Sequence, residues 1–352
     1  MESKRLKIAL ISDELTEVSL REEADVRLIT PQNYKSILDS EWRADFLFVE
    51  SAWKGYKNRW KYGISSFPEL KYKPSIAKRV YRYYHQSRGN INLQKVVAYA
   101  KSLEIPTVFW NKEDFIHYDR FKESAKLFDH IFTVDSNCIP WYREIVDEHV
   151  TVNSLLFAIQ PSIHNFQGFN FKYNQANFVG SYSHHIHNRR REWQDMMFKS
   201  ATDTKFGLTI YDRNSNRGSK NYRYPELVNM NIKSSVPYNE TADIYRDFLV
   251  SLNVNTIEDS PTMFSRRLIE VIACGGIAVT NPTLAVDENF KEYSYVIKNR
   301  EEMDELFYRL KDGASKNDME KMRAGAEYIA REHTWGHRLK EICNTIGVKY
   351  EY

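Results

Sequence analysis

The sequence predicts two α/β domains, each built around a doubly wound parallel sheet. Short apolar runs with β-branched residues alternate along the chain with stretches of helical periodicity, which is typical of this fold class. With 352 residues, of which 42% are apolar, the chain is long enough to form two hydrophobic cores. Residues 158–172, rich in Asn and Phe with one Pro and one Gly, predict the linker between the domains.

The first predicted domain opens with an apolar strand and contains five more. The strands are predicted at residues 6–12, 26–29, 46–49, 106–110, 131–134 and 150–157, and the helices at 92–103 and 119–128. Two strands lead into carboxylates: Glu113 and Asp114 follow one, and Asp135 follows the next. Because ligands of parallel sheets bind beyond the carboxyl ends of the strands, these carboxylates are candidate site residues. Each has a structural alternative, since Asp114 and Asp135 are suited to cap a helix and Glu113 to face solvent.

The second predicted domain begins with a strand at residues 177–180 that ends at Gly180. A glycine there lets backbone approach a ligand, and the helix opened by Arg189–Arg191 offers its N-terminus to an anion. Further strands are predicted at 206–211, 234–238, 277–280 and 295–297. Helices are predicted at 239–246 with Asn239 as its cap, at 300–310 and, as one long helix, at 316–346.

The most informative stretch of this domain is residues 251–276. A short strand and a polar loop precede a helix that the sequence predicts to start at Ser260, as N-cap, with Pro261 in the first helical position. Gly275 and Gly276 are suited to end it in a left-handed conformation. Apolar residues repeat at helical spacing on the face toward the sheet, and the opposite face carries Thr262, Arg266, Arg267 and Glu270.

This strand, loop and helix predict an anion site, with a phosphate as the natural ligand. Glu270 then lies about 14 Å from the predicted helix start, at ~1.5 Å per residue, where a ribose of a bound nucleoside diphosphate would reach. The alternative is a surface ion pair between Arg266 and Glu270, worth about 0.2–0.5 kcal/mol. Spacing alone leaves both interpretations open.

Two runs resemble the CgeB-like (spore-maturation) glycosyltransferase family, a branch of the GT-B superfamily related to the group 1 (family 4) glycosyltransferases. The runs are TMFSRRLIEVIACGG, which resembles the donor-site helix, and IPTVFWNKEDFIHYDRFKESAKLFDHIFTVDSNCIPWYREI in the first half. The wider retaining families carry two glutamates eight positions apart on this helix. Glu270 matches the second, Thr262 stands at the first, and Arg267 matches the arginine three residues before the glutamate.

The resemblance implies a GT-B fold, with two Rossmann-like domains facing across a cleft. The expected boundaries are 1–165 for the acceptor-side domain and 173–330 for the donor domain. Residues 331–352 are expected to form a helix that crosses back to the first domain, with Trp335 in that crossing.

Site residues follow from the same resemblance. Glu113, Asp114 or His117 would orient or deprotonate the acceptor hydroxyl, while Arg267 and Arg213 would neutralise the departing diphosphate. Tyr238 would border the nucleoside base. The donor-binding set is Gly180, Ser181, Tyr182, Arg213, Tyr238, Thr262, Met263, Phe264, Arg266, Arg267 and Glu270.

The implied function is transfer of a sugar from a nucleoside diphosphate, with a UDP-sugar as the expected donor, to a hydroxyl acceptor with retention. The acceptor would be a cell-surface glycan, a lipid-linked group or a polymer. No bound cofactor or metal is expected, because helix dipoles and cationic side chains hold the diphosphate in the family. His184, His185 and His187 lack a carboxylate or cysteine complement.

Three alternatives remain at this stage. A sugar-nucleotide epimerase would share the fold but would leave a basic aromatic stretch at residues 54–88 unexplained. A non-catalytic nucleotide-sugar sensor or structural protein is suggested by Thr262 in place of the first glutamate. A nucleic-acid-modifying glycosyltransferase is suggested by that same basic stretch, which has ten basic residues and one acidic residue. That stretch would otherwise bind another anionic acceptor or form a solvated helical face.

The composition indicates the cellular compartment in which we expect the protein. Three widely spaced cysteines, Cys138, Cys274 and Cys343, form no disulfide or metal pattern, which predicts a reducing compartment. The net charge of +3 is too small to predict nucleic-acid binding by the whole surface. The N-terminus has no signal-peptide pattern, and no apolar run is long enough to span a bilayer. We therefore expect a cytoplasmic protein, with peripheral contact at the inner membrane face as an option.

Overall fold

The computed structural model describes residues 5–55, 57, 59–60, 63–65 and 90–350. Most of the basic aromatic stretch at 54–88 therefore lies outside the described residues. The chain divides into two compact units. Unit 1 comprises Met1–Leu156 together with Trp335–Tyr352, and unit 2 comprises Phe157–Thr334.

Unit 1 contains a six-stranded sheet in which every pair of neighbouring strands is parallel. Its strands are β1 (Lys7–Ile11), β2 (Asp25–Leu28), β3 (Phe46–Glu50), β4 (Thr107–Asn111), β5 (His130–Thr133) and β6 (Thr151–Ser154). They lie in the order β2-β1-β3-β4-β5-β6. Its helices are α1 (Glu14–Glu23), α2 (Tyr34–Leu38), α3 (Ile91–Ser102), α4 (Tyr118–Ala125), α5 (Ile139–Arg143) and α12 (Trp335–Ile346). Apolar residues such as Leu47, Phe109 and Phe121 form the core between sheet and helices.

Unit 2 repeats the parallel architecture. Its strands are β7 (Tyr173–Gly180), β8 (Leu208–Asp212), β9 (Met230–Ser234), β10 (Phe248–Leu252), β11 (Ile277–Thr280) and β12 (Tyr295–Val296), in the order β12-β11-β10-β7-β8-β9. Its helices are α6 (Asn188–Asp203), α7 (Thr241–Asp247), α8 (Arg266–Cys274), α9 (Leu284–Asn289), α10 (Arg300–Leu310) and α11 (Lys316–Glu332). Two parallel six-stranded sheets with flanking helices confirm the predicted α/β class.

Each sheet has one place where the strand order reverses, and such switch points are where parallel sheets bind ligands. The unit 1 switch point lies between β1 and β3, and the unit 2 switch point lies between β7 and β10. At the unit 2 switch point, Val250 and Ser251 of β10 pair with Ala176 and Asn177 of β7. Residues that follow these strands are therefore the first to consider as functional.

The structure corrects the predicted start of the helix in residues 251–276. Helix α8 begins at Arg266 with Ser265 at its N-cap position, five residues later than the expected Ser260 cap. The Ser260 hydroxyl instead accepts hydrogen bonds from the backbone N–H groups of Thr262 (3.3 Å) and Met263 (3.0 Å), which stabilises a turn. The predicted end is confirmed, because Gly275 has φ of 78° and closes the helix in the left-handed region.

Three other expected elements differ from the structure. The strand expected at 234–238 is β9 at Met230–Ser234, an exposed edge strand of mostly polar residues that leaves no apolar pattern. The helix expected at 239–246 is a 3₁₀ turn at Tyr238–Glu240 followed by α7, and Asn239 is not its cap. The single helix expected at 316–346 is two helices, interrupted where Thr334 forms a β-bridge with Ile159.

Among the residues that the structure describes, no helix combines the length and apolar character needed to cross a membrane.

Candidate functional site

Arg267 lies at the centre of the unit 2 switch point. Its guanidinium carbon stands 4.6 Å from the centre of the Phe178 ring, and its Nη1 donates to Asn253 Oδ1 at 3.5 Å. A Cβ added to Gly180 would lie 2.8 Å from Arg267 Nη2 and 2.6 Å from the Phe178 ring. Only glycine at the end of β7 therefore leaves room for this guanidinium. Arg267 Nε is buried and has no hydrogen-bond partner among the described residues.

Buried amides fix the loop from which Arg267 projects. Asn255 Oδ1 accepts the backbone N–H of Ser265 at 2.7 Å, which ties the loop after β10 to the start of α8. Asn253 and Asn255 both donate to Thr280 Oγ1 at 3.0 Å, and Asn281 Oδ1 accepts the Asn255 N–H at 2.8 Å. The carboxyl ends of β10 and β11 and the first turn of α8 thus form one hydrogen-bonded frame.

Two further arginines approach Arg267 around Tyr224. Arg190 Nη2 donates to Ser181 O at 2.8 Å and to Ser181 Oγ at 3.3 Å. Burial, with the nearby charges of Arg267 and Arg213, lowers the pKa of Arg190 to about 10. This shift indicates a strongly positive local potential, since like charges destabilise one another's charged forms. Three guanidiniums at a strand-to-helix edge are suited to bind a diphosphate.

Glu270 is buried one turn into α8, with 4% of its surface exposed. It is the fifth helical residue, so about 6 Å of helix axis separates it from Arg266, not the expected 14 Å. Its Oε1 accepts from Arg266 Nε at 2.7 Å, so the expected ion pair exists, but it is buried at the Glu270 end. Although burial opposes ionisation, the Arg266 guanidinium and the hydrogen bond from Tyr238 act against it and the pKa of Glu270 is lowered, which keeps the carboxylate charged.

Aromatic residues enclose Glu270. The Arg266 guanidinium carbon lies 5.1 Å from the centre of the Tyr238 ring, and Tyr245 OH is 3.5 Å from Glu270 Oε2. The ring of His164 lies 5.1 Å from that of Tyr238. Glu270 and Tyr238, both expected at the donor site, are therefore brought together.

His164 is fully buried beside them and was missed from the sequence, because it lies in the segment predicted to be a linker. Thr241 Oγ1 donates to Tyr238 O at 2.6 Å, so it accepts from His164 Nε2 at 3.0 Å. His164 Nδ1 is then a bare acceptor, with no hydrogen-bond partner among the described residues. Burial lowers the pKa of His164 to about 4, so the imidazole is neutral at pH 7.

The remaining residues expected at the donor site serve different local roles. Tyr182 OH donates to Asp195 at 2.7 Å with its ring in the unit 2 core, and Phe264 is buried against Phe290. Thr262 and Met263 lie in the Ser260 turn, partly exposed. Arg213 directly follows β8, and its backbone N–H donates to Gly180 O at 2.8 Å, which positions it beside the end of β7.

A second arginine of the cluster, Arg190, was also not singled out from the sequence. The position of Arg190 on its helix would have identified it as a candidate. It lies three and four residues before Trp193 and Gln194, which are buried residues of α6, so it shares their face of the helix.

The first-half candidates lie at the carboxyl end of β4. Asp114 is 1% exposed and accepts from Asn111 Nδ2 (2.6 Å), Thr133 Oγ1 (2.7 Å) and Tyr142 OH (3.0 Å). Burial raises the pKa of Asp114 to about 7. Glu113 and His117 are partly exposed, with 4.0 Å between Glu113 Oε2 and His117 Nε2. Asp135 caps a 3₁₀ turn, as the structural alternative proposed, and accepts the Asn137 N–H at 3.0 Å.

The histidines after β7 bond to protein groups. His184 Nε2 is 3.0 Å from Arg223 O, and His185 Nδ1 is 3.1 Å from Ser183 Oγ. Within the described part of the chain, no group of three or more His, Cys, Asp or Glu side chains is arranged to hold a metal ion.

Comparisons with known proteins give a match to one family model and matches to solved structures of similar fold. Residues 174–344 match the family model described as glycosyl transferase-like. No curated protein matches the chain in sequence. The matched residues include Arg190, Arg213, Arg267 and Glu270.

Solved structures with the same fold match nearly the whole chain at low identity. An α-glucosyltransferase in complex with UDP-glucose and DNA containing an abasic site is 11% identical with a TM-score of 0.64, covering 98% of this chain and 100% of its own. T4 phage BGT in complex with UDP and Mn²⁺ is 13% identical with a TM-score of 0.56, covering 97% and 100%. A glycosyltransferase from Rickettsia africae is 8% identical with a TM-score of 0.53, covering 98% of each chain. These likenesses show the two-domain GT-B fold.

Proposed function

We propose that this chain moves a sugar from a nucleoside diphosphate donor to a hydroxyl acceptor, and the match of residues 174–344 to a glycosyl transferase-like family model supports the proposal. The observation that carries the proposal is the convergence of Arg190, Arg213 and Arg267 at the unit 2 switch point, one turn from the buried Glu270. Cations placed where a diphosphate leaves stabilise the charge that develops in the transition state.

The diphosphate binds Arg267 and Arg213, with Arg190 adding positive potential. Arg267 Nε is a buried donor without a partner in the described structure, and its desolvation has no compensation until an acceptor binds. A phosphate oxygen is such an acceptor. The frame of Asn253 and Asn255 holds the guanidinium before the ligand arrives, so little ordering is needed on binding.

Glu270 binds the ribose and Tyr238 borders the base. A carboxylate that stays ionised accepts hydrogen bonds from two adjacent ribose hydroxyls, and Arg266 keeps Glu270 in that form. A UDP-sugar is the donor we propose. In support, structures of the same fold are described with UDP or UDP-glucose.

Unit 1 supplies the acceptor side. The acceptor we propose is a hydroxyl of a surface glycan, a lipid-linked group or a polymer, and the resemblance to the CgeB-like branch favours retention of the anomeric configuration. We propose reaction without a bound metal, in the cytoplasm or at the inner membrane face.

A thermal-shift screen against nucleotide sugars tests the donor assignment. A ligand present at 100 times its Kd stabilises the fold by about 2.7 kcal/mol, which gives a readable rise in Tm. The stabilising donor is then titrated calorimetrically against Arg267→Ala and Glu270→Gln. We expect affinity losses of about 100-fold and tenfold, since hydrogen bonds to charged groups contribute roughly 1.5–3 kcal/mol.

Matched controls come from exposed residues of the same unit. Arg189→Ala lies beside Arg190 on α6, and Glu288→Gln lies on α9; both should bind the donor as the parent does. If Arg267→Ala and Glu270→Gln also bind with parental affinity, the proposed donor site is wrong. Donor binding without slow release of nucleoside diphosphate would instead favour the non-catalytic sensor.

A nucleic-acid acceptor is the second candidate. The sequence at 54–88 carries ten basic residues interleaved with aromatic ones, a composition suited to a phosphate backbone. The α-glucosyltransferase of similar fold is described in complex with DNA. DNA affinity that falls steeply between 50 and 200 mM salt, as expected from roughly six or more phosphate contacts, would favour this acceptor over a glycan.

A further inference from the structure

A buried tyrosine hydroxyl lies in the arginine cluster of unit 2. Tyr224 is 6% exposed, and its OH makes no hydrogen bond with any residue that the structure describes. Sequence reasoning did not single it out, because it lies between β8 and β9, outside any predicted strand or helix. A buried hydroxyl that lacks a partner destabilises the folded state, so its presence at this position calls for a reason.

Aromatic neighbours hold the Tyr224 ring in place. Its centre lies 5.3 Å from that of Tyr182, 6.0 Å from that of Phe198 and 6.5 Å from that of Phe178. All four rings belong to the hydrophobic core of unit 2, so Tyr224 cannot turn its hydroxyl toward solvent without losing this packing. The position of the hydroxyl is therefore set by the core and not by a hydrogen bond.

The charged groups that act on the Tyr224 hydroxyl are those of the proposed diphosphate site and one carboxylate. They are the guanidiniums of Arg190, Arg213 and Arg267 and the carboxylate of Asp212. Burial and the charge of Asp212 raise the pKa of Tyr224, although the three guanidiniums act in the opposite direction. The hydroxyl therefore keeps its proton at neutral pH and is available as a hydrogen-bond donor.

The described part of the chain gives this hydroxyl no acceptor. Guanidiniums only donate, and Asp212 Oδ1 accepts the Asn214 N–H at 2.7 Å and makes no hydrogen bond with Tyr224. Arg267 Nε is a second buried donor without a partner there. The ring of Phe178 lies near both, with its centre 4.6 Å from the Arg267 guanidinium carbon and 6.5 Å from the Tyr224 ring. Two donors of one cluster thus lack an acceptor.

We propose that Tyr224 is a donor-binding residue whose hydroxyl donates a hydrogen bond to a phosphate oxygen of the nucleoside diphosphate. The inference rests on the proposed function and adds one neutral contact to a site otherwise made of cations. A phosphate group has several acceptor oxygens, so it can accept from both Tyr224 OH and Arg267 Nε. The free protein already bears the cost of burying this hydroxyl, so the bond formed on binding is not offset by that cost.

Removing the hydroxyl should have opposite effects on folding and on binding. In Tyr224→Phe the ring keeps its packing and the hydroxyl without a partner is gone. We therefore expect the Tm of the ligand-free protein to rise by about 2–4 °C. UDP, titrated calorimetrically, should bind Tyr224→Phe about tenfold more weakly than the parent, because a hydrogen bond to a charged phosphate is lost. A purely structural role would leave the affinity for UDP unchanged.

Two other tyrosines of unit 2 provide matched controls. Tyr295, in β12, donates its hydroxyl to Asp318, so Tyr295→Phe removes the same atom from a hydroxyl that has a partner. Its Tm should fall, and UDP should bind it as tightly as the parent. Tyr308, in α10, is 58% exposed, and Tyr308→Phe should change neither quantity. Only Tyr224→Phe should combine a higher Tm with weaker UDP binding.

Four results would overturn the inference. If Tyr224→Phe binds UDP with parental affinity while Arg267→Ala binds it more weakly, the Tyr224 contact is wrong and the donor proposal stands. A lower Tm in Tyr224→Phe would show that the hydroxyl has a partner in the free protein, such as Asp212 through an ordered water. An affinity loss for UDP-glucose without one for UDP would place the hydroxyl at the sugar instead of the phosphate. A parent that binds no nucleoside diphosphate would overturn both proposals.

Discussion

The two switch points occupy equivalent places in two parallel six-stranded sheets, yet they present opposite chemistry. At the unit 1 switch point, Asp13, Glu50 and Lys112 satisfy one another. At the unit 2 switch point three guanidiniums approach one another, and Arg267 Nε, Tyr224 OH and His164 Nδ1 are buried without partners among the described residues. The same backbone edge thus carries a mutually paired charge cluster in one unit and a cluster of guanidiniums in the other. The residues that follow the strands decide which.

The largest effect we expect comes from breaking the unit 1 cluster. Lys112→Met leaves the buried Glu50 carboxylate without its cation, which typically costs about 3–5 kcal/mol of unfolding free energy. Urea unfolding followed by tryptophan fluorescence measures it, because six of the seven tryptophans belong to unit 1. Lys101→Met is the control, since its pair with Asp129 is partly exposed, and it should lose less than about 1 kcal/mol. A Lys112→Met protein as stable as that control would mean that the cluster is not electrostatically coupled.

The next effect distinguishes the two units by pH. His164 has a pKa near 4 when folded and 6.5 when exposed, so between these values the unfolded chain binds a proton that the folded one does not. Unit 2 should therefore lose about 3 kcal/mol of stability as the pH falls from 6.5 to 4. Hydrogen exchange of unit 2 amides across this range measures the loss. His164→Gln should flatten the dependence; an unchanged slope would assign it to other groups.

Glu50 should give the opposite dependence in unit 1. Its pKa is about 7 when folded and 4.5 when exposed, so its stabilising contribution is complete below pH 4.5 and is lost as the pH rises through 7. Tryptophan fluorescence should show unit 1 losing stability over that rise, and Glu50→Gln should abolish this component. A rise in stability with pH in unit 1, lost in Glu50→Gln, would reverse the sign that the structure predicts.

Gly180→Ala tests whether the guanidinium geometry at the unit 2 switch point matters. The added methyl would lie 2.8 Å from Arg267 Nη2, so the guanidinium must move, and we expect donor affinity to fall about tenfold, or roughly 1.4 kcal/mol. Gly218→Ala is a matched control, because its Cβ would meet no atom within 4 Å. Equal donor affinity in both variants, measured by calorimetry, would show that Arg267 does not need this position.

The smallest expected effect is that of metal removal. In the donor site we propose, guanidiniums neutralise the diphosphate, so EDTA should change the donor dissociation constant by less than about twofold. Titration in EDTA and in Mg²⁺ or Mn²⁺ measures this. A loss of tenfold or more in EDTA would show that the unit 2 switch point needs a divalent cation as well.

The sequence was sufficient for the fold class because buried parallel strands leave continuous apolar runs, as in Phe46–Glu50 and Thr107–Asn111. The start of α8 was predicted five residues too early because a serine such as Ser260 caps a turn as readily as a helix. In the structure the helix starts later, where Asn255 Oδ1 accepts the Ser265 N–H. That bond joins residues ten positions apart, which local patterns do not encode.

Arg267, Glu270 and Gly180 could be singled out from the sequence because each lies in or directly beside a strand or helix that the sequence predicts. Arg190 required the register of α6, and His164 required the path of the segment before β7. The Asp13, Glu50 and Lys112 cluster required the strand order, since only the pairing β1-β3-β4 brings the ends of these strands together. Local sequence patterns therefore do not identify residues that are brought together only by tertiary contacts.

Unit 1 is assembled from two segments of the chain that lie on either side of unit 2 in the sequence. Trp335, the first residue of α12, packs its ring 5.6 Å from that of Trp110, and α12 contacts α1. Unit 2 is continuous, so during synthesis it can finish folding while the earlier-made unit 1 still lacks its last helix. The core of unit 1 can therefore close only after the residues that follow Thr334 have been made, so a released chain that stops at Thr334 would contain all of unit 2 and an incomplete unit 1.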